Sequence, residues 1–212
     1  RWSFPGAEHR GMDGDVTFTG VPAGSRQVRM SRSSPGRYAL HEFAKNVFDV
    51  RVTDAAGAAL PVARPNLHQW DVTGHAGTVR VRYRVYGDRV DGTYLAIDNT
   101  HAHINMPAAL MWARGFEDRA ATLTFEPPSG TGWKVATQLL PGPDPLTFVA
   151  PNLQYLMDSP TEVSDFTLRT FQLDDVPGSP SFRVAVHHHG TEADVESFTG
   201  DVRKVVAESR HV

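Results

Sequence analysis

The sequence predicts a mainly β protein: an antiparallel β-sandwich-like domain with a short helix near residues 152–158 and a carboxyl-terminal amphipathic helix. Three observations carry this. Short runs that alternate apolar and polar residues recur from Val16 to about Leu140, separated by Gly, Pro, Asn and Asp. After the Pro-dense stretch "PGPDPLTFVAP" the character of the chain changes. From Thr191 onward apolar residues recur at helical spacing.

The clearest strand is "TVRVRYRVYG", in which Val79, Val81, Tyr83 and Val85 share one face and Arg80, Arg82 and Arg84 the other. A core side and a solvent side follow from that alternation, so the arginines form a solvated face. Further strands are expected in "RQVRMSR", "ALPVAR", "LHQWDV", "TYLAIDN", "AATLTFE" and "WKVATQLL", ten or so in all, with "DAAG" and "PPSGTG" supplying turns. "NLQYLMDSP" reads as the short helix: Asn152 caps it, Leu153, Leu156 and Met157 line one side, and Pro160 stops it. "DFTLRTFQL" and "SFRVAVHHHG" resume strand alternation. In the last segment Val195, Phe198, Val202, Val205 and Val206 share a helical face. Thr191 caps that helix, acidic Glu192, Asp194 and Glu196 lie at its positive end, and Arg203, Lys204 and Arg210 near its negative end. Its apolar face needs a packing partner.

Length and composition narrow the function classes. A chain of 212 residues buries about 70% of its unfolded surface without covalent staples. Absence of cysteine excludes disulfides, thiolate metal sites and cysteine nucleophiles. With 24 acidic against 21 basic residues, the net charge of -3 gives no field for a polyanion, so no nucleic-acid partner is expected. No apolar run is long enough for a membrane span, and "RWSFPGAEHR" lacks the apolar core of a signal peptide.

Polar clusters that can carry chemistry are few. "YALHEFAKNVFDVRV" contains His41 and Glu42, the first two letters of the zinc-protease signature His-Glu-x-x-His, but Lys45 stands where the second imidazole belongs. Phe48, Val50 and Val52 alternate with Asp49, Arg51 and Thr53, which is the period of a half-buried strand. "HAH" and "HHH" each place two imidazoles on one face of a strand, His101 with His103 and His187 with His189. Neighbouring strands would turn these four into a metal site, and solvent-facing or hydrogen-bonded histidines are the alternative. "APNLQYLMDSPTEVSDF" gathers Tyr155, Asp158, Ser159 and Glu162 around a helix end fixed by Pro160. Carboxylates on such a turn can receive an ammonium group, or they can simply satisfy backbone donors. No Gly-x-Ser-x-Gly is present, and "GTGWK" lacks the spacing of a phosphate loop.

Five blocks in order, beginning "YALHEFAKNVFDVRV" and continuing through "VRVRYRVYG", "TYLAIDNTHAHINMPAALMW" and "APNLQYLMDSPTEVSDF" to "FRVAVHHHGTEADVESFTGDVRKVV", resemble the amino-terminal half of the glycyl aminopeptidase family of zinc metallopeptidases, the sixty-first numbered peptidase family. The resemblance implies a β-rich amino-terminal domain over residues 1–150. It implies a continuation over 151–212 at the junction with a thermolysin-like catalytic domain, which is often followed by a PDZ domain. It further implies zinc in the full-length enzyme, a peptide substrate, and a periplasmic or secreted location. Because His-Glu-x-x-His occurs nowhere, no catalytic or zinc-ligating residue is carried over, no cofactor is expected in this chain, and it is expected to be inactive alone. The implied role is to pack on the catalytic domain and wall its cleft, with Asp158 or Glu162 holding the substrate's amino terminus. The alternative is a free-standing β-sandwich module that binds a ligand or protein partner; exposed Trp residues would support it, and Trp70, Trp112 and Trp133 are available for that role and equally good as core.

Overall fold

The computed structural model describes residues 1–173 and 178–209. Its largest sheet has seven strands in the order Leu140–Pro141, Thr147–Ala150, Ala121–Glu126, Trp2–Gly6, Gly11–Thr19, Thr78–Tyr86 and Val47–Thr53. A four-stranded sheet runs Met111–Ala113, Arg26–Met30, Gln69–Val72, Val62–Asn66, and another runs Lys134–Thr137, Thr161–Ser164, His101–Ile104, Leu95–Ile97. A hairpin of Thr167–Phe171 with Phe182–Val186 follows, and then the helix Glu192–Ser209. The chain is mainly β and its pairings are antiparallel, except that Trp2–Gly6 runs parallel to Ala121–Glu126. The sheets enclose one apolar core in which Trp2, Phe43, Phe125, Ile97, Ile104 and Met106 are fully buried.

Thr78–Tyr86 forms as its alternation requires. Val79, Val81, Tyr83 and Val85 are buried, and the three arginines pair across the outer face with Asp13, Asp15 and Asp49. Tyr83 is accommodated by the residue opposite, Gly14, where a β-carbon would fall 2.5 Å from the ring. The ring therefore lies flat over the neighbouring strand. Its hydroxyl donates to the Ala109 carbonyl at 2.9 Å and accepts the Met111 N–H at 3.2 Å, and burial pushes its pKa up to about 12.

The structure corrects several expectations. Fourteen strands occur up to residue 150, not ten or so, because half of them are only two to four residues long and too short for alternation to show. The Pro-dense stretch does not leave the sheet. Pro143 and Pro145 sit at the turn and Pro141 ends a short edge strand, while Thr147–Ala150 keeps its backbone donors and pairs with both Ala121–Glu126 and Leu140–Pro141. In Val47–Thr53 the alternation fails at Phe48, which is half exposed. Asp49 takes a left-handed φ of 53° and the register shifts between Phe48 and Arg51, a bulge that turns Phe48 to the outer face opposite Arg84 and returns Val52 to the core opposite Val81. Residues 43–46 ahead of that strand form a 3₁₀ turn, and Glu42 pairs with Arg32 at 2.9 Å and His68 at 3.0 Å, so the His41–Glu42 pair is structural.

The terminal helix is capped as expected: Asp194 accepts from the Thr191 N–H at 2.7 Å, and the Thr191 hydroxyl oxygen accepts from the Asp194 N–H at 3.3 Å. Of its apolar face only Val195 is buried, while Phe198 and Val205 remain exposed. Arg210 lies outside the described residues.

Candidate functional site

The helix Leu153–Met157 starts where Asn152 accepts the Tyr155 N–H at 2.8 Å and ends at Asp158, two residues before Pro160. Leu156 and Met157 anchor it in the core. Its far end is tied to Gln138, whose amide donates to the Asp158 carbonyl and, at 3.2 Å, to the Ser159 hydroxyl. Tyr155 donates its hydroxyl to the Gln138 carbonyl at 2.8 Å, and the fully buried Ser159 donates back to the Tyr155 carbonyl at 2.6 Å. Tyr155 and Ser159 are thus spent on holding the turn, whereas Asp158 is exposed.

Thr161–Ser164 then enters its sheet between Lys134–Thr137 and His101–Ile104. Register sets Glu162 opposite His103 and Ser164 opposite His101. His101 and His103 share a strand face, so both imidazoles reach Glu162: His101 Nδ1 lies 3.2 Å from one carboxylate oxygen and His103 Nδ1 3.4 Å from the other. Burial alone would push the Glu162 carboxyl up; hydrogen bonds from His101 and His103 and the charge of His101 outweigh it and hold the carboxyl down at about 2. The bond to Glu162 correspondingly raises His101 against its own desolvation.

Next to this pair lies Asp98. It accepts from the Thr100 N–H at 2.7 Å, the Thr100 hydroxyl at 2.6 Å and the His101 N–H at 3.0 Å, and its second oxygen is 3.4 Å from Arg10. Burial raises its pKa, but these donors, Thr100 foremost, bring it down to about 2. The His187 ring stacks on His101 with centroids 4.6 Å apart, and His189 meets His187 edge-on at 5.9 Å. Sequence reasoning missed Arg10, Asp98 and Gln138. Only "DNTH", an Asp two residues before a Thr, carried a turn signal for Asp98.

Of the four histidines singled out from the sequence, His101 and His103 meet at Glu162, His187 joins them only by stacking on His101 and His189 only through His187, while Tyr155, Asp158 and Ser159 occupy the adjoining turn. The convergence does not make a metal cage: the His101 and His103 nitrogens address different oxygens of one carboxylate, and among the described residues no group of three or more His, Asp or Glu side chains is arranged to hold a metal ion. Zinc, which the resemblance implies for the full-length enzyme, does not fit the donors among the described residues. Trp70 and Trp133 are core residues and Trp112 is partly buried, so they form no exposed aromatic platform.

The model of the Peptidase M61 N-terminal domain matches residues 2–165, and the chain belongs to that family. Among solved structures, an aminopeptidase N family protein from Idiomarina loihiensis is similar with a TM-score of 0.80 at 19% identity, covering 92% of this chain and 34% of that one. Yeast LTA4 hydrolase in complex with bestatin gives a TM-score of 0.46 at 13% identity, over 79% of this chain and 28% of that one. No curated protein matches in sequence. The chain spans about a third of the length of the Idiomarina protein.

Proposed function

We propose that this chain is the non-catalytic amino-terminal domain of a zinc-dependent aminopeptidase, packing on a catalytic domain and forming part of its peptide-binding cleft. The observation that carries the reading is the family match across residues 2–165. Zinc in the catalytic domain would polarise the scissile carbonyl and activate water; the present chain contributes binding surface only. Residues 1–150 would then be the β body and 151–212 the junction. The exposed Phe198 and Val205 of the terminal helix, with exposed Leu168 on the hairpin beside it, suit an apolar contact with such a domain.

At the junction, Asp158 offers an uncommitted carboxylate to an incoming ammonium group, and Glu162 offers one that His101 and His103 keep ionised. The reading assigns recognition of the peptide's amino terminus to this pair. In a polypeptide that joins this chain to its catalytic half, Asp158→Asn and Glu162→Gln are each expected to raise KM for a glycyl anilide about tenfold or more, with a smaller effect on kcat. Unchanged KM and kcat in both variants would refute the assignment.

A further inference from the structure

A pair of stacked histidines is one of the contacts that join the terminal hairpin to the rest of the chain. His101 opens the strand His101–Ile104, and His187 follows directly on Phe182–Val186. Their rings lie face to face, with centroids 4.6 Å apart and planes 11° from parallel, and both side chains are more than four-fifths buried. His187 turns Nε2 to the Thr100 hydroxyl at 3.4 Å and Nδ1 to Asp165 at 3.7 Å. The stack thus sits where the hairpin leaves the sheet.

Counter-charge is distributed unevenly across it. On the His101 side Glu162 lies at 3.2 Å and Asp98 at 3.8 Å, and both carboxylates are largely buried. On the His187 side the one carboxylate in ionic range among the described residues is Asp165, whose side chain is 70% exposed and screened by water. The other charges nearby do not redress this. Arg10 pairs with Asp98, His103 shares Glu162, and His189 meets His187 edge-on at 5.9 Å. Lys134 donates to the carbonyl of Phe166, one residue past Asp165, and so brings a positive charge to that turn. His188 is engaged elsewhere, with the Thr167 hydroxyl at 3.2 Å, and its charge acts on Asp194. A first proton on the stack is therefore held at His101, where the bond to Glu162 favours the charged ring. A second proton, on His187, sets two cationic rings face to face in a site largely withdrawn from water, and like charges repel there. Histidines take up their protons between about pH 8 and 5, a range in which Glu162 and Asp98, both held down at about 2, stay ionised.

We propose that the stack of His101 and His187 is an acid-released latch. It holds the hairpin of Thr167–Phe171 with Phe182–Val186 against the strand His101–Ile104 while the two rings share at most one proton, and it opens when His187 takes the second. Opening spares the other side of the contact, because His101 keeps its bond to Glu162 and Thr161–Ser164 stays paired with His101–Ile104. The proposal does not rest on the peptidase reading.

The test is the NMR ring-to-ring Overhauser effect between His101 and His187 in the full chain, followed from about pH 7.5 to about pH 5. It is expected to be present at the upper end and lost at the lower, with the resonances of the strands around Phe125 unchanged. In His187→Phe, which keeps a flat ring and cannot titrate, contact with the His101 ring should persist across the range. In His189→Asn the effect should be lost on acidification as in the native chain. An Overhauser effect that survives at about pH 5 in the native chain would overturn the proposal, as would its loss in His187→Phe on acidification. Persistence in His189→Asn would assign the titration to the wrong ring, and loss that accompanies unfolding around Phe125 would make it a global event; either would overturn the latch.

Discussion

Up to Asp165, a single apolar core extends from Trp2 to Val163 and takes in side chains from all three large sheets. The hairpin and helix after it bury few apolar side chains, chiefly Phe166, Leu173 and Val195, and none of these joins that core. Polar contacts attach them instead. Arg169 reaches Glu192 and Glu196, His187 stacks on His101, Arg183 donates to the Thr137 carbonyl, and Lys134 donates to the Phe166 carbonyl. The family match stops at residue 165, where the kind of attachment changes. Burial of apolar area carries most folding free energy, and exposed ion pairs carry little. The described hairpin and helix are therefore held to the rest of the chain chiefly by polar contacts, and their removal should cost the apolar core little.

The largest consequence concerns the two phenylalanines Phe125 and Phe198. Phe125→Ala empties a fully buried position and is expected to cost about 3–5 kcal/mol, whereas Phe198→Ser on the exposed helix face should stay within about 0.5 kcal/mol. Urea unfolding of the two variants measures both, and equal losses would erase the distinction between the regions.

A smaller effect is expected where the regions meet. Glu162→Gln removes the charge shared by His101 and His103 and is expected to cost about 1–3 kcal/mol. Because the folded-state pKa of His101 is raised above 6.5, its contribution is fully present below pH 6.5 and is lost as pH rises through the folded value. Glu162 works the other way: held near 2, it stabilises above 4.5, and that contribution disappears as pH falls towards 2. Urea midpoints across pH, with the His101 ring titration followed by NMR, should show both slopes in the native chain and shallower ones in the variant, where Asp98, also held near 2, still contributes to the acid slope and still raises His101. His103, Asp98, Arg10 and His187 also face this imidazole, so the ring titration has to be read at His101 itself.

Arg169→Ala should have the smallest global effect, at most about 1 kcal/mol, because its carboxylate partners are exposed. Its local effect should be clear: faster amide exchange in residues 192–200 with no change in the strands around Phe125.

Legibility in the sequence followed the same division of forces. Thr78–Tyr86 could be read directly, since nine residues alternate without interruption. Trp2–Gly6 and the start of Gly11–Thr19 could not, because Pro5, Gly6, Gly11 and Gly14 interrupt the pattern, and Gly14 is there to admit the Tyr83 ring from another strand. Phe48 misled because a bulge depends on the backbone of Asp49, which leaves no trace in apolar spacing. At the candidate site the histidines and Glu162 stood out by residue type. Their partnership depends on the register of Thr161–Ser164 against His101–Ile104, and the link from Asp98 to Arg10 spans 88 positions; neither can be read from local pattern.

The most direct measurement is hydrolysis of a glycyl anilide by the purified 212-residue chain with zinc added. If the catalytic groups lie outside this chain, turnover stays at background whatever the zinc concentration. Turnover that scales with protein, is lost on chelation and returns with zinc would contradict the reading and place a metal centre within these residues.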